Sequence, residues 1–261
     1  SLDSPLLTYA RCLALLELEG AEGRFKPFFN AAGSQLSEAD RYSLMAEAMA
    51  KSGAIESARQ SWERGFETGV AVLDGPALIR LARAAMRMEM PEQMLEAYRR
   101  ASLWGARFEL ADWQHYSEQL LASGDVNEAF EVLSIMSRFH QSRPEVLNSY
   151  TYLSLLLARR VDEAMLDSQK LVSANPQEVS FHVTRALAYF RSGNSRQALE
   201  LLDATGVNFI RTDHDAWRMI YAAVLASNGE MSLSRSLMAN IKPAALTVPE
   251  KQFYEQITTL N

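Results

Sequence analysis

A short motif returns about every 34 residues in the second half of the chain. Its three instances read Gly124-Asp-Val-Asn-Glu-Ala129, Arg159-Arg-Val-Asp-Glu-Ala164 and Gly193-Asn-Ser-Arg-Gln-Ala198. A fixed period of this length is typical of helical repeat arrays, in which each repeat buries its apolar side against its neighbours. Such arrays present an extended surface rather than one enclosed pocket, so the period favours a binding protein over an enzyme.

The motif also predicts how the helices begin and end. Gly124 is expected to take the left-handed conformation that closes one helix, and Asp125 with Glu128 is expected to form a capping box for the next. Gly193 is expected to do the same one repeat later. Upstream, an i, i+3, i+4, i+7 stripe predicts an amphipathic helix at Tyr42, Met45, Ala46 and Met49.

One segment, residues 203–213, is too long for a normal connection between repeats. It carries two apolar side chains, Phe209 and Ile210. We expect them to pack locally against the next repeat, because apolar loop residues usually bury close by. The alternative is an insertion that contacts a ligand.

Composition narrows the function. The 261 residues carry a net charge of −6, which disfavours nucleic acid, since its readers present a clustered basic face. Cys12 is the single cysteine, so no intrachain disulfide is expected. The longest uncharged stretch, Val146–Ala158, is too short to span a bilayer, so no membrane insertion is expected. Because the first residue is Ser1, we expect a signal, anchor or further domain outside this segment, in a bacterial cytoplasmic or periplasmic setting.

Residues that carry chemistry are sparse. The four histidines are isolated, and only the pairs His115/Glu118 and Glu178/His182 share a helix side. A metal site on helices needs several such ligands to converge. We therefore expect no metal, no cofactor and no catalytic residue, and we interpret the protein as not an enzyme.

The motif resembles the tetratricopeptide repeat (TPR) family, over residues 37–241. Its best match lies between Leu110 and Met136, where family positions are held by Trp113, Tyr116, Ser117, Leu120, Gly124, Ala129 and Leu133. The resemblance implies one all-α domain over residues 1–261, a right-handed α–α superhelix. It would comprise an irregular N-terminal half-repeat or cap (1–36), about six helix–turn–helix units (37–241) and a C-terminal capping helix (242–261).

In this family the first helix of each unit lines an inner groove. Carried over by position, the predicted groove residues are Arg80, Arg87, Gln114, His115, Glu118, Tyr150, Leu153, Leu157, Val183, Leu187 and Phe190. The groove is thus expected to be polar with arginines at one end and apolar at the other. The segment Val146–Ala158 is apolar on nearly all sides, so it is either buried within the chain or covered by a partner.

The leading hypothesis is a non-catalytic scaffold or adaptor that binds a peptide or partner helix in this groove, with homo-oligomerisation also open. One alternative is the soluble part of a membrane-tethered bacterial envelope assembly scaffold. A third hypothesis, RNA recognition by helical repeats, needs a positive inner face and fits the acidic balance poorly. The carboxylate clamp that some family members use is replaced here by Gln114, Glu118, Ser149 and Leu153.

Overall fold

The computed structural model describes residues 4–18 and 22–260, and every regular element in them is helical. Residues 1–3, which include the predicted chain start Ser1, lie outside the described residues. The chain divides into two compact units, unit 1 (Ser1–Tyr116) and unit 2 (Ser117–Asn261). The predicted single domain stays a prediction, whereas the predicted all-α class is confirmed.

The helices follow one another in pairs. Unit 1 contains α1 (Pro5–Glu17), α2 (Glu22–Ala32), α3 (Glu38–Lys51), α4 (Ile55–Ala71), α5 (Gly75–Arg87) and α6 (Pro91–Leu103). The division between the units falls within α7 (Leu110–Ser123). Unit 2 contains α8 (Val126–Phe139), α9 (Pro144–Leu156), α10 (Val161–Ala174), α11 (Val179–Arg191), α12 (Ser195–Ala204), α13 (Asp215–Ser227), α14 (Met231–Ala239) and α15 (Val248–Leu260). The pairs from α3–α4 to α13–α14 number six, as the repeat period predicts.

Glycine closes the turns at the predicted places. Gly124 (φ 91°) and Gly193 (φ 78°) lie in the left-handed region, which a residue without Cβ enters at little cost. The predicted capping box is wrong in detail, because within the described residues the Asp125 carboxylate accepts a hydrogen bond from Ser123 Oγ (3.3 Å) and does not cap α8. The left-handed glycine therefore matters more to this turn than the side-chain cap.

The turn between α9 and α10 is built without glycine. Ala158 (φ 53°) and Arg160 (φ 51°) both adopt the left-handed conformation. Cβ crowding makes that conformation unfavourable by about 1–2 kcal/mol for an ordinary L-residue. This turn therefore stores backbone strain that the Gly124 and Gly193 turns avoid.

Replacing Ala158 by Gly is expected to relieve that strain. Ala158 is exposed, so the substitution removes little packing, and we expect stabilisation of about 0.5–1 kcal/mol after the entropy of the unfolded glycine is counted. Ala10→Gly is the matched control, since Ala10 is exposed inside α1 and glycine there should destabilise by about 1 kcal/mol. Urea denaturation measures both, and a loss of stability for Ala158→Gly would contradict the expectation.

The irregular segment 203–213 packs locally. Phe209 is 2% exposed, belongs to the apolar core of unit 2, and stacks on Tyr221 with ring centroids 5.3 Å apart. Ile210 remains about half exposed. Local packing is therefore confirmed for Phe209 and wrong for Ile210.

Candidate functional site

The first helices of unit 2 form one continuous surface. α9 packs on α11, and α11 packs on α13; we call the surface formed by these three helices the A face. All three helices contribute side chains to one apolar core, in which Leu155, Leu187 and Met219 are completely buried. The A face is therefore well packed from below, and its capacity to bind a ligand depends on which chain segments lie across it.

The C-terminal helix of the chain lies across the A face. α15 contacts α9 and α13, and its Phe253 meets Phe190 of α11 edge-on, with ring centroids 5.8 Å apart. The side chains that α15 turns towards the core follow the i, i+3, i+4, i+7 stripe of an amphipathic helix: Glu250, Phe253, Tyr254 and Ile257. A helix of the same chain therefore lies against part of the apolar segment Val146–Ala158, at Tyr152.

A buried carboxylate joins α15 to α9. Tyr152 donates its hydroxyl to Glu250 Oε1 (3.1 Å), and Glu250 is 8% exposed. Glu250 Oε2 accepts hydrogen bonds from the backbone N–H and the hydroxyl of Thr247, both at 2.8 Å, and the first of these is the carboxylate half of a capping box at the start of α15. Burial and the neighbouring Glu250 charge raise the pKa of Tyr152 well above 10, so the phenol stays a hydrogen-bond donor.

Arg191 is the central polar residue of the A face. Its guanidinium donates to the carbonyl oxygens of Leu155 (Nε, 2.8 Å) and Leu156 (Nη2, 2.6 Å) at the end of α9. It also lies 4.7 Å from the ring centroid of Phe253. A cation at a helix C-terminus and over an aromatic face is favourable on both counts. Burial lowers the pKa of Arg191 from its ordinary value.

A cleft of about 480 Å³ opens beside α15. The lining residues are Gly124, Asp125, Val126, Asn127, Glu128, Leu157, Arg159 and Gln252. Arg159 Nη2 donates to Asn127 Oδ1 (2.7 Å) across it. The cleft exposes the edge between α15 and the end of α9, where a ligand that enters beside α15 would first make contact.

The predicted groove residues of unit 2 differ in their exposure. Leu153 (3%), Val183 (1%) and Leu187 (0%) are buried, and so is Tyr150 (6%), which packs on Phe130. Leu157 and Phe190 are half-buried. The structure brings Phe190 to α15 and Leu157 to the cleft, so these two contribute surface while the others support it.

In unit 1 the predicted groove arginines are engaged with carboxylates. Arg80 binds Asp40 through Nε–Oδ1 (2.6 Å) and Nη2–Oδ2 (2.9 Å). Arg87 binds Glu47 with both distances at 2.8 Å. Each pair joins α5 to α3, and both acids are nearly buried. The predicted positive end is therefore locally neutralised.

A third pair joins α5 to α7. Arg83 donates to both oxygens of Asp112 at 2.7 Å, and Asp112 also accepts from the Tyr98 hydroxyl (3.1 Å) and the Glu109 N–H (2.9 Å). Asp112 is 1% exposed. Burial would raise the pKa of Asp112, but the hydrogen bonds from Arg83 and Glu109 outweigh it, so the pKa lies below the ordinary value of 3.8.

Sequence reasoning missed the acidic partners and Arg191. Asp40 and Arg80 are separated by 40 residues, as are Glu47 and Arg87, and no local sequence pattern connects residues so far apart. The remaining predicted residues, Gln114, His115 and Glu118, lie on α7, with Gln114 and Glu118 exposed and His115 half-buried.

In the ranges 4–18 and 22–260, no three metal-ligating side chains converge. In the predicted pair Glu178/His182, the two side chains have other partners. The Glu178 carboxylate accepts a hydrogen bond from the Ser180 hydroxyl, and His182 Nε2 contacts the Pro176 carbonyl oxygen (2.9 Å). None of the helices in the described part of the chain combines the length and apolar character that a bilayer span requires.

Comparison with known proteins bears on the fold. No protein-family model matches the chain, and no curated protein matches it. Among solved structures, YrrB, described as a TPR protein with an unusual peptide-binding site, is 14% identical, with a TM-score of 0.52 over 79% of this chain and 95% of that one. A tetratricopeptide repeat protein from Parabacteroides merdae is 12% identical, with a TM-score of 0.52 over 98% of both chains. The chain therefore has the TPR α-solenoid fold that the sequence predicts.

Proposed function

We propose that this protein is a non-catalytic interaction scaffold that binds a peptide or a helix of a partner protein on its first helices. The fold supports this, because helical repeat arrays offer extended surfaces made of many side chains. The observation that carries the proposal is α15, an amphipathic helix seated across α9, α11 and α13 through Phe253 and Glu250. A surface that accepts one helix in this way has the shape and chemistry to accept another.

The first helices of unit 1 are a weaker candidate for capturing a charged ligand. Arg80 and Arg87 each direct two donors to a carboxylate, so an acidic peptide would have to compete with a bidentate internal partner. The proposal therefore places the main binding energy on the apolar A face of unit 2.

Site-specific photo-crosslinking tests the proposal. A benzophenone amino acid at Gln114 on α7 or at Leu157 at the end of α9 is expected to capture a partner from lysate of the native organism. Gln60 on α4 and Arg196 on α12 are the matched controls, because they are exposed on second helices. Capture at the control positions alone, or equally at all four, would contradict binding by the first helices.

A further inference from the structure

α15 is attached to the repeat array in an unusual way. It contacts α9 through Glu250 and Tyr152, which are 98 residues apart in sequence, although contacts in a repeat array normally join neighbouring repeats. The connection from α14 runs through residues 240–247, of which 242–245 are exposed. The pairs α9–α10, α11–α12 and α13–α14 each have contacts of their own that do not involve α15.

Glu250, Phe253 and Ile257 of α15 are buried against unit 2, and Tyr254 donates its hydroxyl to the Met238 carbonyl of α14 (3.3 Å). Phe253 is 1% exposed and contacts both the Phe190 ring and the Arg191 guanidinium. Ile257 is 3% exposed within the apolar core, and Glu250 accepts the Tyr152 hydroxyl. The opposite side of α15 is polar and exposed at Gln252, Glu255, Gln256, Thr258 and Thr259. The A face thus recognises a simple spacing: a carboxylate, an aromatic ring three residues later, and an aliphatic side chain four residues after that.

We propose that the A face of unit 2 is a helix-binding groove, that α15 is its resident occupant, and that the external partner is an amphipathic helix carrying the same Glu-x-x-aromatic-x-x-x-aliphatic spacing, which displaces α15. This inference rests on the proposed scaffold function and names the chemistry of its partner. The A face specifies the charge of the partner helix at one position only, where the Tyr152 hydroxyl would donate a hydrogen bond to a carboxylate of that helix.

The physics of tethering sets the conditions for exchange. A helix of 13 residues is marginal when isolated in water, so α15 owes its helicity to docking. A tethered segment competes with an external ligand at an effective concentration of about millimolar. The wild-type groove is therefore expected to bind an external helix weakly, and any change that weakens α15 alone should strengthen that binding.

The test uses the full chain and a fluorescent peptide with the sequence of residues 246–261. In anisotropy titrations, Phe253→Ala in the chain is expected to tighten binding of this peptide at least about tenfold relative to wild type, because the resident helix loses its aromatic anchor. The same peptide with Ala in place of its Phe should bind at least about tenfold more weakly. An Ala/Lys-based peptide helix that carries only Glu, Phe and Ile at this spacing should also bind to the A face. The same peptide with its sequence scrambled should not bind.

Two further variants make the result interpretable. Ile257→Ala weakens α15 at a second anchor and should also tighten peptide binding, whereas Gln256→Ala on the exposed side should behave as wild type. Hydrogen exchange of α9 and α11 reports whether the A face remains folded in each variant. A folded A face that binds no peptide in either anchor variant, or that binds the scrambled helix equally well, overturns the proposal.

Light scattering of the wild-type chain tests whether a second copy of the chain occupies the A face. A monomer is expected, and a dimer joined by exchange of α15 between copies would make a second copy the occupant and overturn the proposal. The scaffold function has a separate outcome. If the photo-crosslinks map to first helices while the patterned helices fail to bind, the partner chemistry is wrong and the scaffold function stands.

Discussion

Asp112→Ala is expected to destabilise unit 1 by about 3–5 kcal/mol, the usual result of removing one member of a buried ion pair. The carboxylate is 1% exposed and accepts hydrogen bonds from Arg83, Tyr98 and the Glu109 N–H. Its loss leaves the Tyr98 hydroxyl and the Glu109 N–H without this acceptor, while Arg83, which is 33% exposed, keeps its ion pair with Glu109 (3.1 Å). Urea denaturation followed by circular dichroism measures the effect.

The matched control is an exposed ion pair of similar length. Arg100 and Glu96 on α6 are 2.9 Å apart with both side chains more than 40% exposed. Glu96→Ala should change the unfolding free energy by about 0.5 kcal/mol or less, since solvent screens such pairs. Equal effects at Glu96 and Asp112 would show that burial of the Asp112 carboxylate does not determine its contribution.

The Asp112 contribution also has a defined pH dependence. Because the folded pKa lies below the ordinary value of 3.8, the ionised carboxylate stabilises the folded state above that value, and the stabilisation is lost as the pH falls through the folded pKa. The stability difference between wild type and Asp112→Asn is thus expected to be constant from neutral pH down to about pH 4 and to shrink below it. A difference that grows on acidification would contradict this assignment.

Leu153→Asp is expected to unfold unit 2, with a loss of about 4 kcal/mol or more. Leu153 is a predicted groove residue, but it is 3% exposed, so an aspartate there must either bury its charge or bind a proton. The loss of the leucine volume adds a cavity. Thermal melting and hydrogen exchange of α9 and α11 are the measurements.

Leu166→Asp provides the comparison for that prediction. Leu166 lies on α10 and is 59% exposed, so the same change should alter stability by about 0.5 kcal/mol or less. If Leu153→Asp instead keeps wild-type stability and loses partner binding alone, Leu153 is a contact residue rather than a core residue. The pair of variants therefore separates packing from recognition on the A face.

The helices, their order and the glycine turns were within reach of the sequence, because each depends on local spacing. The six pairs from α3 to α14 and the left-handed Gly124 and Gly193 follow directly from the repeat period and from the freedom of glycine. The helix at 248–260 was also predictable. Its position on α9 was not, because an amphipathic stripe shows that a helix must cover something apolar without showing what.

Two features of the candidate site depended on side chains that local patterns do not connect. The carboxylate partners of Arg80 and Arg87 lie 40 residues earlier in the chain, and such distances carry no helical periodicity. Family position placed Leu153, Val183 and Leu187 in the groove, yet all three are buried. A first helix can be apolar because it packs inside the repeat array or because it lines a binding groove. The sequence of the helix alone does not distinguish these two cases.

The two ion pairs between α3 and α5 have a mechanical consequence. Asp40 and Glu47 are seven residues apart, and so are Arg80 and Arg87, which places the two pairs about 10.5 Å apart along both helix axes. Two attachment points at that separation prevent α5 from rolling or sliding on α3 unless both pairs break together. Under load, α3 and α5 should move as a single stiff plate, so elastic bending within unit 1 is expected to concentrate at its other helix contacts.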